Sequence, residues 1–340
     1  MSGGRADQPR TLVIVNPVSA GGRTARRWPA MRAAMDGAGV TYDTHHTTAP
    51  NEAIAVTRGA LADGYTRVVA IGGDGTLNEV VNGFFGPDDT TPRPEATLAL
   101  FPSGTGGDFR RSVGLPTDPI QLAAILSANH VRRIDVGRIT YNDSSIAPRH
   151  FINIADCGVG GEVVARVNRS GNKGGGIWGT AVFLGISLRA LMTFAGRRVR
   201  LTLDGEVIEM AIQNVVIANG RCFGGGMRIA PDAQLDDGVF DVVVLPALGR
   251  FRTLTAMPSV YRGTHLRQPG VVVRRAAVVH VEPLDEWPLL FDIEGEQIGA
   301  APATLTCMPA ALSVCVPAPE GPPFSITGRL TETFEEPRSV

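Results

Sequence analysis

One stretch concentrates residues able to handle phosphate: Val68-Val69-Ala70-Ile71, then Gly72-Gly73-Asp74-Gly75-Thr76-Leu77-Asn78-Glu79-Val80-Val81. The four apolar residues read as a buried parallel strand. Three glycines around one aspartate make a loop. Leu77, Val80 and Val81 recur at the spacing of a helix's inner face, with Thr76 as its expected cap. Strand, glycine loop and helix N-terminus together bind phosphate, because glycine lets the backbone approach an anion and the free amides point at it. The lysine of a P-loop is missing, and Lys173 is the only lysine in the chain. Asp74 stands in the loop instead. A carboxylate beside a triphosphate calls for Mg²⁺ between them, or for a nucleotide that avoids it.

Other clusters could share this chemistry. Thr11–Val15 is an apolar run that ends in Asn16-Pro17-Val18-Ser19-Ala20-Gly21-Gly22, either a ligand loop or a plain turn. Residues 96–101 run into Pro102-Ser103-Gly104-Thr105-Gly106-Gly107-Asp108-Phe109. Two glycine loops side by side at the carboxyl ends of parallel strands form one cleft. Asp108 there is either a helix cap or an acid facing a transferred phosphate. Further on, four aspartates crowd Asp232-Ala233-Gln234-Leu235-Asp236-Asp237-Gly238-Val239-Phe240-Asp241, a possible divalent-cation loop or a solvated turn. Asp292-Ile293-Glu294-Gly295-Glu296 sets three acids at alternate positions, on one face of an extended segment or at a hairpin end. Glu296, just beyond the glycine, is free to point into a cleft. His45 and His46 lack a third ligand at metal spacing and read as strand-end residues.

The elements that carry these residues fall into two groups. At 340 residues, 44% of them hydrophobic, the chain can hold two cores. Its net charge of −1 gives no general basic field, which argues against nucleic acid as a partner. Strand–helix alternation runs to residue 129. Period-two strands follow at 131–139, 151–155, 199–203, 207–218, 239–245, 271–281, 289–293 and 303–316, with helices at 161–168, 177–195 and 250–261. The reading is a doubly wound αβ domain over 1–129, a β-rich domain over 130–316, and a tail over 317–340 that packs back or stays loose. Residues 177–195 are apolar apart from Arg189 and some small residues and just long enough to span a bilayer, but Arg189 and the flanking pattern favour a core or lipid-facing helix. Cys157, Cys222, Cys307 and Cys315 show no CxxC spacing and read as buried thiols of a reducing compartment. Residues 1–10 lack the apolar run of a secretory signal.

Taken together, Asn16-Pro17-Val18-Ser19-Ala20-Gly21, Gly72-Gly73-Asp74-Gly75-Thr76, the loop from Pro102 to Phe109, the Leu235-Asp236-Asp237-Gly238 turn and Glu294-Gly295-Glu296 resemble, in order, the diacylglycerol kinase catalytic-domain family. That family includes bacterial lipid kinases and sphingosine and ceramide kinases. The resemblance covers about Thr11 to Val316. The glycine motif alone is shared with NAD kinases, while the asparagine–proline loop, the second glycine loop and the aspartate turn favour the lipid-kinase type. The resemblance implies a phosphofructokinase-like αβ domain and a C-terminal β-sandwich, with ATP in the cleft between them. It matches Asn16, Pro17, Val18, Ser19, Ala20, Thr47, Gly72, Gly73, Asp74, Gly75, Thr76, Leu77, Asn78 and Thr105 to nucleotide contacts. It matches Glu296 to the general base, and Asp74 and Asp108 to acids near the transferred phosphoryl group. Asp237, with the carbonyls of Gln234 and Val239, matches a structural Mg²⁺ site. Two positions depart from the pattern: Gly107 replaces an asparagine, and Glu294 replaces an aspartate.

The implied activity is ATP-dependent phosphorylation of a lipid alcohol by a cytoplasmic protein that meets the membrane surface peripherally. A homodimer is compatible with it. The helix at 177–195 is the best candidate wall for the lipid or else fills the core, Arg166, Arg169 and Arg221 could meet anionic lipid, and Lys173 either reaches a phosphate or anionic head group or sits in an exposed loop. The rivals are an NAD kinase or other small-molecule kinase, and a non-catalytic nucleotide or lipid sensor. Which lipid is used is not legible, since one methylene in an apolar groove is worth only about 1–3 kcal/mol.

Overall fold

The computed structural model describes residues 9–86, 95–104, 107–169 and 177–318. Thr105, the Lys173 loop, residues 87–94 and the tail beyond 318 lie outside the described residues. The first lobe comprises β1 (Thr11–Val15), α1 (Ser19–Gly37), β2 (Tyr42–His46), α2 (Glu52–Ala62), β3 (Arg67–Gly72), α3 (Asp74–Phe84), β4 (Thr97–Pro102), α4 (Asp108–Ser112) and α5 (Pro119–Ala128). β1 and β3 are buried at every position, which is why they read as unbroken apolar runs. The parallel order β2-β1-β3-β4 brings the loops after β1, β3 and β4 to one edge. In α1, Ala20, Gly21 and Gly22 hold left-handed φ values of 53°, 64° and 78°, so the regular helix begins only at Arg23. Two glycines make that turn accessible.

The second lobe is mainly antiparallel: β5 (Val131–Tyr141), β6 (Arg149–Phe151), β7 (Ile154–Gly158), α6 (Val159–Arg169), α7 (Ile177–Thr193), β8 (Arg197–Leu203), β9 (Glu206–Ala218), β10 (Phe240–Pro246), α8 (Arg250–Arg262), β11 (Val272–Ala276), β12 (Val278–Pro283), β13 (Leu290–Ile293), β14 (Glu296–Ala300) and β15 (Ala303–Cys315). The run expected at 271–281 divides in two, because β11 pairs with β10 whereas β12 lies between β8 and β15. Likewise 151–155 breaks into β6, which pairs with β5, and β7, which pairs with β9. α7 packs against α6 and α8, and among the described residues no helix is long and apolar enough to cross a membrane. The four cysteines are buried and unbridged.

No single cut separates the lobes. β5 and β15 run antiparallel to each other through both, with an irregularity between Met308 and Leu312. Ile134, Val136, Leu312 and Val314 belong to the first hydrophobic core, whereas Ile139, Ala303 and Leu305 belong to the second. Beyond the irregularity, Ser313 and Val314 pair in parallel with β4. The expected boundary after residue 129 therefore falls just ahead of a strand that both cores use.

The placement of α3 depends on a close approach at Gly83. A Cβ there would lie 2.4 Å from Thr57 Cβ and 2.7 Å from the Ile54 carbonyl oxygen. Gly83→Ala must push α2 and α3 apart, and overpacking of this kind costs about 1–3 kcal/mol. Urea unfolding should show a lower midpoint with an unchanged slope, while Gly37→Ala, which meets nothing within 4 Å, should leave the midpoint near the wild-type value.

Candidate active site

The three loops at the sheet edge are tied to one another. The Asn16 amide donates to Thr76 Oγ1 at 2.9 Å, and the Ser103 N–H donates to the Gly72 carbonyl at 2.9 Å. The hydroxyls of Ser19, Thr24 and Ser103 form a chain, and Ser19 Oγ also donates to the Asn16 carbonyl at 3.0 Å. Gly104 lies so close that an added Cβ would stand 2.9 Å from Gly73 Cα, so the two glycine loops touch. The expectation that Thr76 caps α3 is not met. Extended Gly73 precedes the helix, no side chain caps it, and the Thr76 hydroxyl faces the Asn16 amide. The first-turn amides of α3 are thus left without a side-chain cap at the loop edge. Asn16 Oδ1 is buried and without a hydrogen-bond partner among the described residues.

Asp74 opens α3 and accepts the Gly107 N–H at 3.0 Å. Gly107 therefore contributes its backbone where the family pattern has an asparagine side chain. Burial, then the charge of Asp108, push the Asp74 carboxyl up. The amides of Gly107 and Asp108 and the nearby Arg111 pull it back only in part. Asp108 is not a cap. Its Oδ1 accepts Arg111 Nη1 at 2.8 Å, and its Oδ2 accepts the Gly225 N–H from the second lobe at 2.9 Å.

From that second lobe comes the hairpin of β13 and β14. Glu294 and Gly295 form its two-residue turn with φ 53° and 91°, and Ile293 pairs with Glu296. The three acids are thus divided between two strands and a turn, which settles the two sequence readings in favour of the hairpin. Glu296 Oε1 lies 3.9 Å from the point a Gly75 Cβ would occupy, directly over the first turn of α3. Glu294 Oε1 accepts the N–H groups of Ile152 and Asn153 at 2.7 and 2.6 Å, and its Oε2 accepts Asn78 Nδ2 at 2.8 Å. Asp292 sits opposite Asp156 of β7. Burial, then the charge of Asp292, push Asp156 well up, while the Asn214 amide at 3.0 Å draws it back. Burial also raises Asp292, with Glu296 adding to it and the Gly295 N–H opposing it.

The structure thus gathers Asn16, Ser19, Gly72 to Thr76, Asp108 and Glu296 at one edge. Val18 is 75% exposed on the rim, and Ala20 carries one of the left-handed residues beside Ser19. Leu77 points into the first core. Asn78 is buried, and its amide is spent on Glu294 and the His150 carbonyl (3.0 Å). Thr47 is buried with its N–H on the Val15 carbonyl. Arg166 pairs with Glu162 and donates to Thr193, while Arg169 and Arg221 donate to the carbonyls of Ala165 and Ala233.

The aspartate turn is arranged differently from the expectation. Arg275, which lies in register with Asp241, donates to Asp237 Oδ2, and the Val239 N–H donates to Asp237 Oδ1 at 3.3 Å. Asp236 is held by both arms of Arg132 at 2.7 and 2.9 Å. A guanidinium already neutralises the carboxylate that a cation would need, and no cluster of three His, Cys, Asp or Glu residues suited to a metal occurs among the described residues. The Asp237 carboxylate, expected to hold Mg²⁺ together with the Gln234 and Val239 carbonyls, is paired here with Arg275.

Sequence reasoning missed a cluster of positive charge. A cavity of about 260 Å³ beside Gly104 and Gly107 is lined by Arg23, Arg27, Arg110 and Arg111. Arg27 is anchored on the carbonyls of Pro102 and Thr117, and Arg110 on that of Leu115, so neither bond cancels charge. The available signal was the Arg23-Thr24-Ala25-Arg26-Arg27 and Arg110-Arg111 runs directly after the loops, in a chain where arginine stands in for lysine.

The family model described as diacylglycerol kinase catalytic domain matches residues 10–139. A second, described as the YegS C-terminal NAD kinase beta sandwich-like domain, matches 157–316. A diacylglycerol kinase of Staphylococcus carnosus (strain TM300) is 28% identical over 91% of this chain and 95% of its own length. One of Bacillus subtilis (strain 168) is 28% identical over 91% of this chain and 96% of its own. A solved structure from Bacillus anthracis str. Sterne, 23% identical, aligns with a TM-score of 0.71 over 92% of this chain and 99% of that one, which establishes the common fold.

Two outcomes follow from this electrostatic arrangement. Chelation should leave the melting temperature of the nucleotide-free protein unchanged. Arg275→Met should lower it and make it responsive to Mg²⁺; a fall in the wild type on adding EDTA would place a cation at the turn. For Asp292 the folded-state carboxyl is raised, so its stabilising contribution is complete in acid and is lost as pH rises through the neutral range. Asp292→Asn should therefore gain on the wild type between about pH 4 and about pH 7, measured by urea unfolding.

Proposed function

The chain belongs to the diacylglycerol kinase catalytic-domain family, and from that premise we propose that it transfers the γ-phosphate of ATP to the hydroxyl of a diacylglycerol-type lipid alcohol. The observation that carries this reading is the carboxylate of Glu296, brought by the second lobe to within van der Waals reach of the glycine loop of the first. The glycine-loop amides at the start of α3 receive the phosphates. Arg23, Arg27, Arg110 and Arg111 supply the positive charge that a lysine gives other nucleotide loops. Asn16 Oδ1 is the buried acceptor that a donor group of the nucleotide would meet.

Glu296 takes the proton of the attacking hydroxyl, which makes that oxygen the nucleophile toward the γ-phosphorus as the bond to ADP breaks. Asp74 fits a divalent cation that travels with the nucleotide: its carboxyl is strained by burial and by Asp108, and a positive ion would relieve both. When bound, such an ion spreads the charge of the phosphates. The lipid enters from a membrane surface that the protein touches peripherally. α6 packs on β13 and β14, the hairpin that carries Glu296, and α7 packs on α6, so α7 is the apolar helix that would wall an acyl chain.

The test is ATP-dependent phosphorylation of diacylglycerol in mixed micelles, with NAD offered in parallel. Glu296→Gln should lose about a hundredfold or more in kcat. Full activity in that variant would exclude Glu296 as the base, and turnover of NAD alone would exclude the lipid.

A further inference from the structure

Glu294 occupies the first position of the turn that leads into Glu296. Its backbone and side chain are both bound to the same neighbour. The Glu294 N–H donates to the Ile154 carbonyl at 3.2 Å, and Oε1 receives the N–H groups of Ile152 and Asn153 from the β6–β7 connection. Its other oxygen receives the Asn78 amide, from the first turns of the helix that follows the glycine loop. Asn78 does not stand alone. Asn82, one turn on, donates to the Asn78 carbonyl at 2.9 Å and to the His150 carbonyl at 3.0 Å, and accepts the His150 N–H at 2.9 Å. The His150 ring stacks on Phe85 at 3.9 Å, just past the end of α3. The whole of α3 is thereby fastened to β6, and one carboxylate joins that seam to the hairpin.

We infer that Glu294 is the positioning residue of the centre: by joining the β13–β14 hairpin to α3, its carboxylate sets where Glu296 stands over Gly75 and Asp74. A two-residue hairpin turn is stiff, so fixing its first residue fixes the strand residue that follows the glycine. The longer arm of glutamate spans the distance between the β6–β7 amides and Asn78. An aspartate, shorter by about 1.5 Å, would release one end. This inference rests on the role proposed for Glu296. The ionised form is the one that three N–H donors hold best. Burial, with Asp74 adding to it, raises the Glu294 carboxyl to about 7. The groups around it are Asp74 and Asn78 on α3, His150 on β6, and Asp292 and Glu296 on its own hairpin, so the latch is made or broken in the neutral range.

The test compares wild type with Glu294→Gln and Glu294→Asp. The glutamine keeps an acceptor for Ile152 and Asn153 but turns N–H groups toward the Asn78 amide. Both variants should bind ADP, by calorimetry, within about twofold of wild type, and lose kcat on the order of a hundredfold, the loss expected when a reacting group is misplaced by about 1 Å. Wild-type kcat should rise with pH through about 7, and Glu294→Gln should lack the limb that Glu294 contributes. A role in stability alone would lower the folded fraction and leave the pH profile in place. Hydrogen exchange gives a reading that needs no substrate: amides of 294–298 and 78–82 should exchange faster in both variants. If wild type phosphorylates no lipid, the functional reading falls, and unchanged exchange would then overturn the latch as well. If wild type is active, variants with wild-type kcat and an intact limb overturn the inference.

Discussion

The constraint on which the rest depends is that β5 and β15 run through both lobes. A kinase cleft built between separate domains opens and closes about a linker. Here the boundary between the cores is crossed by a continuous antiparallel ladder, and β15 ends as a parallel neighbour of β4, the strand that delivers the second glycine loop. The lobes cannot turn freely without breaking buried backbone hydrogen bonds. The approach of the two lobes to each other is therefore largely a property of the fold. What remains adjustable is local: the hairpin that carries the acid and the loops that face it.

Within that frame the polar residues at the seam have a clear physical purpose. Buried amides and carboxylates cost free energy unless paired, and paired they fix one geometry. Asn78, Asn82, Glu294 and the β6–β7 backbone satisfy one another on one side of the cleft. Asp108, Arg111 and the Gly225 amide do so on the other. Both seams start from residues next to a glycine loop, so the contacts that join the lobes also orient the backbone of those loops.

Much of this was legible because the signals were local. Unbroken apolar runs gave β1, β3 and β4, and glycine loops after them gave the site edge. The order of motifs brought Glu296 to the same cleft. What the sequence hid were relations between distant residues. Thr76 looks like a cap until Asn16, sixty positions away, takes its hydroxyl. The pairing of β10 with β11 delivers Arg275 to Asp237, a partner that no local pattern announces. Asn78 looks like a nucleotide contact because it adjoins the motif, yet its side chain faces the other lobe. The sharing of one strand is hidden for a similar reason: period and composition change at residue 130, and only the packing shows that the strand that begins there serves both cores.

The number of acids around a site meant for a polyanion then becomes intelligible. Asp74, Asp108, Asp292, Glu294 and Glu296 would together repel a nucleotide if all were charged and free. Asp108 is paired with an arginine. Burial raises Asp292 and Glu294 and so thins their charge near neutral pH, and Asp74 is drawn onto backbone amides. On the opposite side of the second glycine loop, Arg27 and Arg110 are held by backbone carbonyls, which leave their charge uncancelled, while Arg111 is the partner of Asp108. The field in the cleft is thus divided between guanidinium groups beside the second glycine loop and carboxylates on the side of the hairpin. Such a division needs burial on one side and uncompensated guanidinium groups on the other, and the two lobes supply one each.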